Sequence, residues 1–107
     1  MESLNRIELR GIIGSVYVKD FVNAKVANIS VATNYCYKAK DGCHVIDTFW
    51  FRIVAWEGEP IKNLDQIQKG AAVHVLGRVR MQRYTATDGS ERSFFEVIAS
   101  EVELLES

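Results

Sequence analysis

Residues 25–56, KVANISVATNYCYKAKDGCHVIDTFWFRIVAW, contain two segments of alternating apolar and polar residues on either side of an Asp-Gly pair. Alternation is the period of a β-strand, because successive side chains of a strand point to opposite faces. The Asp-Gly pair supplies the positive backbone angles that a tight hairpin needs, so we place a turn at residues 40–43. The stretch therefore predicts a β-hairpin with strands at about residues 25–37 and 45–56.

The segments outside this hairpin predict three further strands. Residues 6–18 alternate apart from a break between Gly11 and Gly14. A glycine inside a strand often marks a bulge or a sharp bend, so we expect one long first strand that bends there. The remaining predicted elements are a fourth strand at 72–84, a second Asp-Gly turn at 87–90 and a fifth strand at 92–104.

Between the third and fourth strands the apolar period changes from two to about three. Ile61, Leu64 and Ile67 recur every three residues and form one apolar stripe. A proline at the first turn costs no backbone hydrogen bond, and Gly70 is placed as a left-handed stop. Residues 59–70 therefore predict a short helix.

The predicted order is three strands, one helix and two strands. This is the order of the five-stranded OB fold, a Greek-key barrel with a helix between strands three and four. The chain has 107 residues, of which 48% are hydrophobic, and this suits one compact core. We expect an all-β protein in which residues 1–107 form a single OB-fold domain, with the two Asp-Gly loops beside its ligand face.

The charge of the chain is segregated along the sequence. The net charge is −1 and the pI is about 6.1, which by itself argues against a nucleic-acid partner. From Lys69 to Arg92, however, five basic residues stand against two acidic ones. A local excess of positive charge matters more for binding than the sum over the chain. The weak overall balance therefore does not exclude a nucleic-acid ligand.

Several other classes of protein lack support in the sequence. The N-terminus has no apolar run of the signal-peptide type and no stretch approaches the length of a membrane span, which predicts a cytoplasmic protein without a membrane partner. We find no phosphate-cradling loop, nucleophile elbow or acid–base pair, so we do not expect an enzyme. Cys36 and Cys43-His44 lack a fourth ligand and a standard finger spacing, so we expect free thiols and neither a metal nor a cofactor.

The third strand carries the residue types that bind single strands without sequence preference, namely aromatic rings for stacking and cations for phosphates. Trp50, Arg52 and Trp56 share one face by alternation, and Phe49 and Phe51 share the other. A buried arginine is costly unless it is paired, so we expect the Trp50 face to point outward. The alternative is that this face lines the barrel interior and that Arg52 caps its rim.

The fourth strand repeats this pattern. Taken alone, its polar face would be an ordinary solvated strand surface, but it follows a strand with the same combination of rings and cations. Further aromatic and basic residues stand beside the two Asp-Gly loops. The predicted single-stranded DNA site consists of Trp50, Arg52, Trp56, Tyr84, Arg80, Tyr37, Arg83, Arg78 and Lys38.

Four segments carry a family resemblance: NRIELRG at 5–11, VANISVAT at 26–33, TFWFRIV at 48–54, and residues 69–80, which begin KG and end GRVR. In order and spacing they are similar to the first four strands of the bacterial single-stranded DNA-binding proteins, and the chain resembles this family over nearly its whole length. The resemblance implies base stacking on Trp50, Trp56, Tyr84 and Tyr37, and DNA contacts from Arg52, Arg80 and Arg83.

The resemblance also implies a biological role. Proteins of this kind coat single-stranded DNA independently of sequence and protect it in DNA replication, recombination and repair. They are homotetramers built from dimers that pair through their first strands, and we expect a homo-oligomer, either a tetramer or a dimer, in the cytoplasm and associated with the nucleoid. The alternative is a primosome-type accessory protein of the same fold, which acts mainly as a protein docking platform. A third possibility is an interaction module without DNA binding.

The chain departs from the family pattern at three points. It ends at Ser107, where the family continues into a flexible tail with an acidic tip, so we expect replication and repair proteins to be recruited poorly or differently. Phe51 stands where the family has a histidine that supports subunit contacts, which bears on the choice between tetramer and dimer. Glu57 and Glu59 follow Trp56 where the family is more basic, which favours weaker binding or an altered DNA path.

Overall fold

The computed structural model describes residues 1–42, 44–58 and 64–105, with the side chain of Asp65 left out. Within these residues the chain forms five strands, as the sequence predicts for an all-β OB-fold barrel, and one turn of 3₁₀ helix. The strands are β1 Ile7–Phe21, β2 Ala24–Lys38, β3 His44–Trp56, β4 Ala72–Thr85 and β5 Glu91–Leu104, and the 3₁₀ turn is Leu64–Gln66.

The five strands close into a barrel in the order β1-β2-β3-β5-β4. β1 pairs with two strands: residues 7–12 pair with β4, and residues 12–21 pair with β2. The register shifts by one residue between Ile13 and Ser15, so Gly14 is the extra residue of a β-bulge. The long, bent first strand is therefore confirmed. Closure comes from a short parallel contact between β3 and β5.

The barrel interior is filled by one face of each strand. Ile53 and Ala55 of β3 are fully buried, as are Ala27 and Val31 of β2. Phe51 is partly buried and packs against this core. The opposite face of β3, which carries Trp50, is left for solvent or a ligand.

The predicted helix between β3 and β4 is not confirmed. Residues 59–63 lie outside the described residues, and the described remainder holds only the 3₁₀ turn. Leu64 and Ile67 are nevertheless buried, as the apolar stripe predicts. Gly70 has a φ of 90°, and its N–H donates to the carbonyl of Ile13 at 2.8 Å. This segment is thus fastened to the strand that carries the bulge.

Both Asp-Gly pairs form turns with glycine in the left-handed region. Gly42 has a φ of 87° and Gly89 a φ of 86°. In the second turn, the carboxylate of Asp88 accepts hydrogen bonds from the backbone N–H and the hydroxyl of Ser90. These bonds lower the pKa of Asp88 below its ordinary value. In the described part of the chain, no helix is long and apolar enough to cross a membrane.

Candidate nucleic-acid interface

The Trp50 face of β3 points away from the barrel interior. Ile53 and Ala55 have no exposed surface, whereas Trp50 is 62% exposed and Trp56 is 49% exposed. Alternation on a strand fixes the direction of Arg52, which is also exposed. The alternative in which this face lines the interior is therefore wrong, and the rings stand where a ligand can reach them.

A groove of about 390 Å³ crosses the outer face of the barrel beside Trp56. We call it the aromatic groove, and it is built from all five strands, because strand pairing brings their outward side chains together. Its lining residues are Lys19, Phe21, Val26, Asn28, Val54, Trp56, Arg80, Gln82, Arg83, Tyr84, Phe94 and Glu96.

The rings in the aromatic groove are held by one another and by cations. Phe21 and Trp56 stack with centroids 6.0 Å apart and planes inclined by 24°, and Tyr84 lies 5.9 Å from Phe94. The guanidinium of Arg52 lies 4.3 Å from the centroid of Phe94. Rings already fixed by neighbours lose little side-chain entropy when a further flat ring stacks on them. The groove is thus preorganised for planar ligands.

A second groove, of about 550 Å³, adjoins the first and is called here the Trp50 groove. Asn28 lines both grooves. The absence of a side chain at Gly14, in the bulge of β1, leaves room for the ring of Trp50, because a Cβ there would lie 2.3 Å from its Cζ3 atom. The lining residues of the Trp50 groove are Ser15, Tyr17, Asn28, Ile29, Ser30, Trp50, Phe51 and Arg52.

The charge of this surface differs from that of the whole chain. The four cations that line the two grooves are Lys19, Arg52, Arg80 and Arg83. Among the described lining residues the one carboxylate is Glu96, which is 6% exposed. A locally positive surface attracts a polyanion even when the net charge is near zero. The surface therefore offers both stacking rings and positive charge.

The structure gathers six of the nine predicted site residues around the two grooves. Three others lie elsewhere. Tyr37 pairs with Val45 on the side of the hairpin that carries Phe51, opposite the Trp50 face, and Lys38 lies at the end of β2 outside both grooves. Arg78 lines a separate hollow beside Ile98. The six residues at the grooves are Trp50, Arg52, Trp56, Arg80, Arg83 and Tyr84.

Several lining residues were missed by the sequence reasoning. Lys19 and Phe21 alternate on β1 beyond the bulge, in the same pattern of ring and cation that identified β3. That signal was readable in the sequence, but the first strand was predicted only to residue 18, whereas it extends to Phe21. Phe94 and Glu96 gave no comparable signal. The opposite face of β5 carries Phe95 and Val97, so alternation alone does not show which face of this strand points outward.

No group of three or more His, Cys, Asp or Glu residues in the described ranges is arranged to hold a metal ion. Cys36 is an exposed free thiol.

Comparison with known proteins gives a consistent result. Residues 4–105 match the model of the single-strand binding protein family. A single-stranded DNA-binding protein of Neisseria meningitidis is 30% identical over 105 residues, which cover 96% of this chain and 60% of that protein. Single-stranded DNA-binding protein 1 of Xylella fastidiosa is 31% identical over 98% of this chain and 79% of its own length. The chain thus spans about 60% of the Neisseria relative.

Two solved structures share the fold. The Plasmodium falciparum SSB in complex with ssDNA superimposes with a TM-score of 0.82 at 25% identity, covering 99% of this chain and 98% of that one. A deletion mutant of the single-stranded DNA binding protein from Thermus aquaticus gives a TM-score of 0.74 at 18% identity, covering 96% and 51%. The family and the two curated relatives are named for binding rather than for a reaction.

Proposed function

Because the chain belongs to the single-strand binding protein family, we propose that it binds single-stranded DNA on the outer face of its barrel, independently of base sequence. One observation carries the proposal: the ring pairs Phe21–Trp56 and Tyr84–Phe94 line one groove together with Lys19, Arg80 and Arg83. Every base has a π face, so stacking on these rings is tolerant of sequence. Such binding does not require side chains that recognise the hydrogen-bonding edges of particular bases.

The binding mode follows from the two grooves. Bases stack on Trp56 and Phe94 in the aromatic groove and on Trp50 in the adjoining groove, each base contributing roughly 1–3 kcal/mol. Phosphates follow exposed cations along the rim, such as Lys19 and Arg83. Neutralised phosphates release counterions, so the affinity falls as salt is added.

The predicted residues outside the grooves extend the proposed path. Arg78 is the register partner of Ile98, which pairs with Val54 at the floor of the aromatic groove. A DNA strand that leaves this groove beside Val54 reaches Arg78 next. Tyr37 and Lys38 lie toward the tip of the β2–β3 hairpin, so they contact only a DNA strand that is long enough to extend beyond the two grooves. We assign this binding to one domain over residues 1–107.

We further propose that the protein acts as a homotetramer in the cytoplasm, associated with the nucleoid, and protects single strands in DNA replication, recombination and repair. Family membership supports this proposal, and light scattering of the free protein tests the tetramer against the dimer. The alternative role as a protein docking platform is favoured by the apolar rings of Phe49 and Phe95, which are 56% and 69% exposed.

Tryptophan fluorescence tests the proposal directly, because both tryptophans of the chain lie at the grooves. Titration with oligo(dT) at low salt should quench the emission, and the affinity should fall steeply as salt is added. Oligo(dA) and oligo(dC) should quench as well, whereas a duplex of equal length should not. An absence of quenching by every single strand at low salt would refute DNA binding and leave the docking platform.

A further inference from the structure

Glu96 is the one buried charged residue among those that the structure describes, and it faces the aromatic groove rather than the core. It is only 6% exposed, although its position is beside rings that accept bases in the proposed function. A carboxylate in a groove that binds a polyanion repels the ligand and lowers the local positive charge. Its presence therefore needs a specific explanation.

The contacts of Glu96 all converge on one oxygen. Its Oε1 atom accepts hydrogen bonds from Nε of Arg80 at 2.9 Å, from Nη2 of Arg80, and from Nε2 of Gln82 at 3.0 Å. Arg80 is the direct cross-strand partner of Glu96 in the pairing of β4 with β5. The ion pair is therefore built into the strand register, and one edge of the guanidinium is fixed against the groove floor.

This pair is costly to break. A buried carboxylate that loses its arginine is left as an uncompensated charge, and here it would also face an incoming phosphate. Arg80 is 46% exposed, so a ligand can touch it, but its charge is already balanced by Glu96. Lys19 and Arg83 line the same groove and are exposed.

We propose, on the basis of the proposed DNA binding, that Glu96 is a positioning residue that withholds Arg80 from the DNA phosphates. The groove floor is then closed to phosphates and left to the bases. The fixed guanidinium plane of Arg80 serves as a further stacking surface, a role that arginine commonly takes with unpaired bases. Phosphates are directed outward to Lys19 and Arg83, so that the bases of the strand face the barrel.

The salt dependence of binding tests this assignment. Each phosphate contact on a single strand contributes about 0.7 to the slope of log K against log salt concentration. Glu96→Gln keeps the shape of the side chain but removes the negative charge that balances Arg80, so its slope should be steeper than that of wild type by about 0.7. Its affinity relative to wild type should then fall about 2.6-fold between roughly 50 and 200 mM salt. Glu101→Gln, an exposed carboxylate of the same strand outside both grooves, should leave the slope unchanged.

A double variant makes the test independent of the first substitution. Arg80→Gln with Glu96→Gln removes the pair without changing the net charge, and its slope should equal that of wild type. Arg83→Gln should flatten the slope by about 0.7, which shows that the loss of one phosphate contact is measurable. If Glu96→Gln fails to fold by circular dichroism, the double variant decides alone.

Two results would overturn the inference while DNA binding stands. One is a slope for Glu96→Gln no steeper than that for Glu101→Gln. The other is a double variant whose slope is flatter than wild type, because Arg80 would then already contact a phosphate. A wild-type protein that binds no single strand at low salt would instead refute the proposed function, and this inference with it.

Discussion

Replacing Gly14 by alanine should weaken DNA binding while the barrel remains folded. The new Cβ would lie 2.3 Å from Cζ3 of Trp50, about 1.1 Å short of ordinary contact at 3.4 Å. Trp50 is 62% exposed, so its ring can swing outward by this amount without disturbing the core. A base stacked on the displaced ring should lose about 1 kcal/mol, the lower end of the range for one stacked base, which weakens binding about fivefold.

Gly77→Ala is the matched comparison, because the added Cβ there meets a backbone atom, which cannot move aside as a side chain can. Its Cβ would lie 2.3 Å from the carbonyl oxygen of Ile98, in the backbone of the adjacent strand. Forcing this contact should cost about 1–3 kcal/mol of unfolding free energy. Each kcal/mol lowers the melting temperature by about 4–8 °C in a domain of this size.

The assays are thermal unfolding by circular dichroism and fluorescence anisotropy with labelled oligo(dT). Gly14→Ala should melt near wild type and bind more weakly, whereas Gly77→Ala should melt earlier. The reasoning is refuted if Gly14→Ala loses as much stability as Gly77→Ala. It is also refuted if Gly14→Ala binds oligo(dT) as tightly as wild type.

Three further predictions concern other parts of the barrel. The hydrogen bond with His74, at 2.8 Å, holds the pKa of Glu8 below its ordinary value of 4.5. The ionised Glu8 carboxylate therefore stabilises the fold above pH 4.5, and this stabilisation is lost as the pH falls through the lowered pKa. Melting curves for Glu8→Gln should therefore depend less on pH below about 4.5 than those of wild type, and equal dependence would contradict this. Gly89→Ala should lower the unfolding free energy by about 1 kcal/mol through backbone strain alone, because φ is 86° and the added Cβ meets no atom within 4 Å; an unchanged urea midpoint would contradict it. Phe94→Leu removes the ring beneath Arg52 and should weaken oligo(dT) binding by about 1–3 kcal/mol, whereas equal affinity in an anisotropy titration would show that no base stacks there.

The strands and their faces could be predicted from the sequence because alternation is a local property. The outward direction of the Trp50 face of β3 was confirmed, as was the bend of β1 at its glycines. The helix before β4 was not confirmed, since three apolar residues at a helical period also fit a 3₁₀ turn that buries Leu64 and a loop that buries Ile67. The sequence pattern alone does not distinguish a helix from a 3₁₀ turn that is followed by a loop.

The site was only partly predictable, because its composition depends on which strands become neighbours. Trp56 was found from β3 alone, but its stacking partner Phe21 comes from a strand 35 positions earlier in the chain. The pairing of Arg80 with Glu96 likewise requires the register of β4 against β5. Tyr37 was grouped with the site by its position near a loop, although its register partner Val45 places it on the other side of the hairpin.

The central claim, that single strands bind the Trp50 face of the barrel, is tested most directly by two substitutions on one strand. Trp56 and Phe49 are both exposed aromatic residues of β3, but only Trp56 shares the outward face with Trp50. In anisotropy titrations with labelled oligo(dT), Trp56→Ala should weaken binding about 5- to 150-fold, which corresponds to about 1–3 kcal/mol, and Phe49→Ala should bind as wild type does. Weaker binding by Phe49→Ala together with unchanged binding by Trp56→Ala would contradict the account and place the DNA on the opposite face.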